Sequence, residues 1–338
     1  MRMENAPRLE IAKFPRNALC AVTTSWDDND AANMEISHIL RSMDLKGTFY
    51  VDPGNPRAKW AMGDGLTEFQ LRELDATNEI GSHTWSHKNL RDCRVNVLRE
   101  ELAGSKRYLE LTIGKPVLGI AYPWGEHSPE AQRVAQECGY LFARTVEEGC
   151  TEFPPSNSFA WGVSIQALAR PRILSRKARK YVRYLTSDWP TLALKFFEKA
   201  RRTNGVWHLF GHASEVLRDP VLKSRFLEIC RYVANRDDVW YATNGMLFQL
   251  EMMKKNTQIT QNCHDSRIDF TIRVAHTKER ALLNMPLPLY LIIPRQWNNG
   301  LTVGITTSPS GAFEMGRLPG RIWLDISAQE AKLELEHE

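Results

Sequence analysis

The chain has 338 residues, of which 43% are hydrophobic and 25% charged, and its formal net charge is +4 at pH 7. This composition is ordinary for a globular protein, and the net charge is too small to indicate a nucleic-acid partner by itself. The six cysteines include no CxxC pair, which argues against a zinc ribbon or a small disulfide scaffold.

The N-terminal segment Met1 to Phe14 alternates charged, polar and small residues and lacks the apolar centre of a signal peptide. No run of the chain approaches the about 20 apolar residues that a membrane helix needs. We therefore expect a cytoplasmic protein without a membrane span.

The first third of the chain alternates helix and strand patterns. The apolar run Leu19 to Val22 precedes the acidic pair Asp27-Asp28, and apolar residues then recur at helical spacing between Met34 and Met43. The segment Gly47 to Val51 follows with the composition of a buried strand. Such alternation is typical of an α/β fold.

The next elements lead to a pair of histidines. Thr67 and Gln70 have capping-box spacing and open a helix, after which the strand-like run Glu79 to Gly81 precedes His83 and His87. A further helix opens at Ser128-Pro129 and ends near Gly139.

The histidine pair and the acidic pair together suggest a metal site. Two histidines four residues apart, joined by a distant carboxylate, leave coordination positions open on a divalent metal. Taken singly, HxxxH often occurs by chance and Asp-Asp is usually a solvated turn. Here both Asp27-Asp28 and His83 follow a predicted strand, which is where catalytic groups collect in α/β barrels.

Further polar and aromatic segments follow in order and carry a family resemblance. They are Ala121-Tyr122-Pro123-Trp124-Gly125, Ser187-Asp188-Trp189 and Phe210-Gly211-His212. With the Asp-Asp and His-x-x-x-His segments, they resemble the polysaccharide deacetylases, the NodB-homology or carbohydrate esterase four family. That family has Asp-Asp, His-Ser/Thr-x-x-His, Arg-x-Pro-x-Gly, Asp/Trp and Leu-x-His motifs in this order. The resemblance covers roughly residues 15–253 and implies a distorted α/β barrel with fewer than eight strands.

The resemblance also implies roles for individual residues. It makes Asp28, His83 and His87 the ligands of a divalent metal, with zinc expected, and Asp27 the base that deprotonates the attacking water. The negative charge on the carbonyl oxygen of an N-acetyl group would be held by the metal and by the backbone N–H of Tyr122. His212 would protonate the departing amine.

The chain departs from the family pattern at two motifs. Ala121 stands where the family has an arginine that orients the catalytic aspartate, and Arg144 and Arg172 are the candidates to replace it. A solvated or structural role is equally open for each arginine. In the last motif Phe210 replaces leucine, and Ala213 stands in place of an aspartate.

Aromatic residues are the candidates to bind substrate. Phe210 and Trp189 would line a pocket for the acetyl methyl group, and Trp124 is a further candidate. His208 competes with His212 for the role of acid, but a buried, hydrogen-bonded strand residue is its better interpretation.

A basic stretch between Arg170 and Arg183 precedes Asp188-Trp189. Such stretches are usually solvated helix faces. If this one borders the site, it would suit an anionic substrate such as a phosphate- or diphosphate-linked sugar.

The pattern changes after residue 253. Apolar residues alternate with polar ones at Ile268 to Val274, Leu301 to Ile305 and Ile322 to Ile326. This alternation predicts an antiparallel β extension over residues 254–338. The extension would follow a deacetylase-like domain over residues 1–253. The extension is a lid or dimer contact, or a carbohydrate-binding module that uses Trp297 and Trp323. The oligomeric state is left open.

The sequence leaves three alternative functions open. The first is a metal-dependent hydrolase that removes N-acetyl groups from an amino sugar in a polysaccharide, an oligosaccharide or a lipid- or nucleotide-linked precursor. The second is a hydrolase of another non-peptide C–N amide bond on the same scaffold. The third is a catalytically silent sugar-binding protein.

Overall fold

The computed structural model describes residues 6–55, 65–167, 189–263, 267–275, 287–294, 301–308, 312–327 and 330–337. Its strands are β1 (Arg8–Ile11), β2 (Cys20–Asp27), β3 (Gly47–Val51), β4 (Glu79–Ser82), β5 (Gly119–Ala121), β6 (Phe142–Arg144), β7 (Ile165–Gln166), β8 (Val206–His212), β9 (Val239–Tyr241), β10 (Thr257–Cys263), β11 (Arg267–Val274), β12 (Leu287–Ile292), β13 (Leu301–Ser308), β14 (Phe313–Leu318), β15 (Arg321–Ile326) and β16 (Glu330–His337). Its α-helices are α1 (Asn33–Arg41), α2 (Glu68–Asp75), α3 (Val95–Ile113), α4 (Pro129–Glu137), α5 (Trp189–Arg202), α6 (Ala213–Leu217), α7 (Pro220–Val233) and α8 (Asn244–Lys255). Within these ranges, no helix has the length and apolar character needed to cross a membrane.

The chain divides into two units whose boundaries differ from the predicted break at residue 253. One unit comprises Cys20–Phe248, and the other combines Met1–Leu19 with Gln249–Glu338. The reason is that β1 pairs antiparallel with β12, so that Arg8 lies opposite Ile292. Main-chain pairing between segments so far apart leaves no trace in the local sequence pattern.

A parallel sheet forms the centre of the unit Cys20–Phe248. Seven described strands follow the order β6-β5-β4-β3-β2-β8-β7, and the short strand β9 pairs with β2 outside this path. β3 pairs with the second half of β2, whereas β9 pairs with its first three residues. The predicted α/β architecture, a distorted barrel of parallel strands with intervening helices, is confirmed.

Burial on both faces explains the composition of the central strands. All eight residues of β2 are buried, as expected for a parallel strand covered on both sides. Trp26 of this strand meets Phe226 of α7 edge to face, with ring centroids 5.3 Å apart. The helix boundaries also follow the sequence, because Thr67 and Gln70 form the predicted capping box of α2.

The second unit contains two four-stranded antiparallel sheets. Their orders are β1-β12-β15-β14 and β10-β11-β16-β13. In β11 the apolar residues Ile268, Phe270 and Ile272 are buried and the residues between them are partly exposed. The predicted antiparallel β structure is therefore confirmed. Trp323 lies opposite Tyr290 in the first sheet, and Trp297 falls outside the described residues.

Candidate metal and catalytic site

Six predicted site residues lie at the carboxyl ends of parallel strands. They are Asp27 and Asp28 at the end of β2, His83 after β4, Tyr122 after β5, Arg144 at the end of β6 and His212 at the end of β8. Parallel strands of one sheet end at the same edge, which is where α/β barrels place their catalytic groups. Asp27 and His212 are direct register partners across β2 and β8.

Asp28, His83 and His87 form a cluster that fits a metal ion. Their donor atoms all lie within 4.8 Å of one another. Oδ1 of Asp28 is 3.7 Å from Nε2 of His83 and 3.4 Å from Nε2 of His87. This oxygen is buried and accepts no hydrogen bond from the described residues. A buried carboxylate oxygen left in this way costs about 1–3 kcal/mol, so the site fits a cation that would neutralise it.

Both histidines turn Nε2 toward the same oxygen of Asp28. Nδ1 of His83 lies 2.8 Å from the carbonyl oxygen of Ala121, an arrangement in which Nδ1–H donates and Nε2 keeps its lone pair toward Asp28. Burial and the neighbouring His83 lower the pKa of His87 to about 4. A metal requires neutral imidazole, so the lowered pKa of His87 suits this role at neutral pH.

Left-handed backbone conformations concentrate at this edge of the sheet. Asp28, Thr84, His87 and Trp124 have φ of 74°, 67°, 56° and 57°. Each such residue costs on the order of 1–3 kcal/mol and persists only where its surroundings enforce the conformation. Strain of this kind collects at functional sites.

Glu101 of α3 stabilises the loop between the two histidines. Its carboxylate accepts hydrogen bonds from the backbone N–H of Ser86 at 2.8 Å and from the Ser86 hydroxyl at 2.6 Å. Glu101 was not predicted from the sequence as a functional residue. Its only local signal is an acidic residue on the helix that follows the histidine loop.

Arg144, one of the two candidates to replace the missing arginine of the third motif, contacts Asp27. Nη2 of Arg144 donates a hydrogen bond to Oδ1 of Asp27, and both side chains are buried. Arg144 lies directly opposite Ala121 in the β5–β6 register, one strand away from the position where the family has its arginine. Its guanidinium lies 4.3 Å from the ring centre of Phe210 and 5.2 Å from that of Tyr50, which restrict its orientation.

The charge on Asp27 is set by opposing effects. Burial alone would raise the pKa of Asp27, but Arg144, His83 and His212 together hold this pKa below its ordinary value. Oδ2 of Asp27 lies 3.6 Å from Nε2 of His83. Asp27 is therefore an ionised carboxylate at neutral pH and can accept a proton.

The protonation of His212 is controlled by its burial and by the neighbouring carboxylates. Nε2 of His212 is 4.0 Å from Oδ2 of Asp28, and Nδ1 is 3.3 Å from Oε2 of Glu215. Burial would lower the pKa of His212, but Glu215, Asp28 and Asp27 raise it to about 9. The imidazole is thus cationic at neutral pH and can donate a proton. Glu215 was not predicted from the sequence, although its position three residues after His212 is a signal that could have indicated it.

The backbone N–H of Tyr122 does not take the predicted position. It donates to the carbonyl oxygen of Arg144 at 3.0 Å, because residue 122 continues the pairing between β5 and β6. The N–H predicted to face a substrate oxygen is therefore engaged within the sheet. The side chain of Tyr122 is buried and stacks on His127, with ring centroids 4.9 Å apart.

The three aromatic candidates lie in different environments. Trp124 is 48% exposed and meets His87 edge to face at 4.4 Å, so its ring borders the metal cluster. Phe210 is buried between two polar groups of the site, with its ring centre 4.3 Å from the Arg144 guanidinium and 5.5 Å from the His212 ring. Trp189 begins α5 and is buried in the hydrophobic core.

Of the remaining predicted residues, the structure describes His208 but not those between 168 and 188. His208 is buried and its Nε2 lies 2.8 Å from the Ser25 hydroxyl, which confirms its interpretation as a hydrogen-bonded strand residue. Arg172, the basic stretch 170–183 and Ser187-Asp188 lie outside the described residues.

Comparison with known proteins supports the family resemblance. Residues 20–143 match the family model described as polysaccharide deacetylase. The predicted resemblance is confirmed over this segment. The search of curated proteins finds no match to the chain.

A solved structure from Mycobacterium smegmatis shares the fold of this chain. A Mycobacterium smegmatis protein assigned to the polysaccharide deacetylases superposes with a TM-score of 0.54 at 18% identity, covering 77% of this chain and 99% of that one. A Streptococcus pyogenes deacetylase in complex with acetate is 26% identical over 38% of this chain, with a TM-score of 0.35. A Bacillus cereus polysaccharide deacetylase is 27% identical over 37% of this chain, with a TM-score of 0.33. The matches span only 56% and 40% of the latter two proteins.

Proposed function

We propose that the chain is a metal-dependent hydrolase that removes the N-acetyl group from an amino sugar. The observation that carries the proposal is the placement of an ionised carboxylate, Asp27, and a cationic imidazole, His212, beside the cluster of Asp28, His83 and His87. Hydrolysis of an amide needs a proton acceptor for the attacking water and a proton donor for the leaving nitrogen.

The ligand set favours zinc. Two imidazoles and one carboxylate are the protein ligands of many catalytic zinc sites, and three ligands leave positions open for substrate and water. When bound, such a metal would lower the pKa of water and polarise the acetyl carbonyl group.

Asp27 and His212 divide the proton transfers between them. The Asp27 carboxylate takes a proton from the attacking water, while Arg144 holds Oδ1 and so fixes the orientation of the group. As the C–O bond forms and the C–N bond breaks, protonated His212 gives its proton to the departing nitrogen. The products are acetate and the free amine.

Trp124 is the best-placed residue to bind the sugar. Its ring is half-exposed beside His87, and a flat aromatic face suits the apolar face of a sugar ring. The anionic character of the substrate and the cytoplasmic location both stay predictions.

The proposal is tested by acetate release from a panel of N-acetylated sugars, nucleotide sugars and short oligosaccharides. Release is expected to stop with a chelator and to return when zinc is added. Asp27→Asn, which keeps the metal ligands, serves as the inactive control. Zinc-loaded protein that releases no acetate from any member would contradict the proposed reaction.

A further inference from the structure

Three hydrogen bonds from different parts of the chain hold the turn that carries Asp28. Nδ2 of Asn33 donates to the carbonyl oxygen of Asp28 at 3.0 Å, and the N–H of Asn29 donates to Oδ1 of Asp52 at 2.8 Å. The N–H of Leu66 donates to Oδ1 of Asn29 at 2.9 Å. The peptide between residues 28 and 29 is therefore held at both its carbonyl and its N–H.

These partners are withdrawn from solvent. Asn33 and Asp52 are 0% exposed, and Asn29 is 5% exposed. Water therefore cannot easily replace a hydrogen bond that is lost here, so each lost bond leaves a buried polar group unpaired. Asp52 follows β3 and Asn33 begins α1, so two elements adjoining β2 hold the same peptide.

The held peptide explains how Asp28 keeps its strained conformation. With φ at 74°, Asp28 lies in a region that non-glycine residues rarely occupy. Fixing the plane of the following peptide fixes ψ of Asp28 and, with it, the direction in which the side chain leaves the backbone. That direction brings the carboxylate within 3.4 Å of His87.

Asp52 itself is not arranged as a ligand. Its Oδ1 accepts the hydrogen bond from Asn29, and its Oδ2 accepts one from Nδ2 of Asn55 at 2.7 Å. Both oxygens are thus occupied within the loop that follows β3.

We propose that Asp52 is a positioning residue of the metal site, which acts with Asn33 on the Asp28–Asn29 peptide and so aims the Asp28 carboxylate at the two histidines. The proposal rests on the proposed function, because it takes Asp28 as a metal ligand. Partners that orient metal ligands typically contribute about 10–100-fold in metal affinity.

The test measures the zinc dissociation constant of the full chain by competition with a chromogenic chelator. Asp52→Ala and Asn33→Ala are each expected to weaken zinc binding by about 10–100-fold. Asp52→Asn keeps a carbonyl oxygen for the Asn29 N–H and is expected to retain most of the affinity. The matched control is Asp75→Ala, which removes a buried aspartate that pairs with Lys115 at 2.7 Å. This variant is expected to lower the thermal stability of the metal-free protein without changing zinc affinity.

Wild-type zinc affinity in Asp52→Ala would overturn the positioning role, as would an Asp52→Asn variant as weak as Asp52→Ala. If Asp52→Ala does not fold, Asn33→Ala carries the test, and unchanged zinc affinity in that variant overturns the proposal. Absence of zinc binding by the wild-type protein would instead overturn the proposed metal site. The two failures are therefore distinguishable.

Discussion

Two buried carboxyl groups at opposite ends of the parallel strands are stabilised in different ways. At the carboxyl ends, Asp27 receives a charged hydrogen bond from Arg144. At the amino ends, Oε2 of Glu79 accepts neutral hydrogen bonds from the N–H of Gly245 at 2.7 Å and the hydroxyl of Thr48 at 3.0 Å. Among the described residues, Asp27 has a cationic partner, whereas the hydrogen-bond donors to Glu79 are neutral.

The consequence is that their pKa values move in opposite directions. Burial raises the pKa of Glu79. Burial acts on Asp27 in the same sense, but the cations around Asp27 outweigh it and lower the pKa. The cations around Asp27 therefore keep its carboxyl group ionised and able to accept a proton at neutral pH. Substitutions at the two ends of the strands should therefore have different effects.

Removing the base should have the largest effect. Asp27→Asn is expected to lower kcat for deacetylation by about 10²–10⁴-fold, the contribution typical of a general base. Zinc binding should persist because Asp28, His83 and His87 are unchanged. Steady-state kinetics and metal analysis of the same preparation check this, and near-normal kcat would remove Asp27 as the base.

Loss of Arg144 should have the next largest effect on kcat. Arg144→Ala is expected to lower kcat by about 100-fold, the scale of a lost positioning contact. Because Ala121 lies opposite Arg144 in the sheet, the double variant Ala121→Arg with Arg144→Ala should recover part of this loss. Kinetics of the single and double variants check it. A fully active Arg144→Ala variant would mean that Asp27 needs no arginine.

Neutralising Glu215 should change the pH profile more than the maximal rate. The Glu215 carboxylate helps to raise the pKa of His212 to about 9, so Glu215→Gln should lower that pKa. His212 acts while protonated, below its pKa, so the alkaline limb of kcat should move to lower pH. A pH–rate profile checks the shift, and an unchanged alkaline limb would show that His212 is not the acid that limits it.

The smallest effect is expected at the other end of the strands. Glu79→Gln keeps an acceptor for Gly245 and Thr48, and should leave kcat unchanged and the free energy of unfolding within about 1 kcal/mol. Since the folded-state pKa of Glu79 lies above 4.5, its contribution to stability is present at low pH and is lost as pH rises through the raised pKa. Urea unfolding at acidic and neutral pH should therefore show Glu79→Gln gaining stability relative to wild type as pH rises. A large loss of kcat would instead place Glu79 in the catalytic machinery.

Local patterns in the sequence predicted several of the helices and strands, and together with the family resemblance they predicted the cluster of Asp28, His83 and His87. The alternation of helices with buried strands, the capping box at Thr67 and the period-two pattern after Ile268 each reflect which face of an element meets water. His83 and His87 are close in sequence, and Asp28 follows a recognisable strand. Their convergence follows from the rule that parallel strands end at one edge.

Contacts between distant segments were decided only by the tertiary structure. The β5–β6 register sets Arg144 opposite Ala121, and this position brings Arg144 rather than another arginine to Asp27. The same pairing makes the Tyr122 N–H donate to the carbonyl oxygen of Arg144. The hydrogen bond from Asn29 to Asp52 and the pairing of β1 with β12 also join segments that are distant in the sequence. Periodicity records the burial of each residue and not its partner, so strand order and register, which choose the partners, become visible only when the chain is folded.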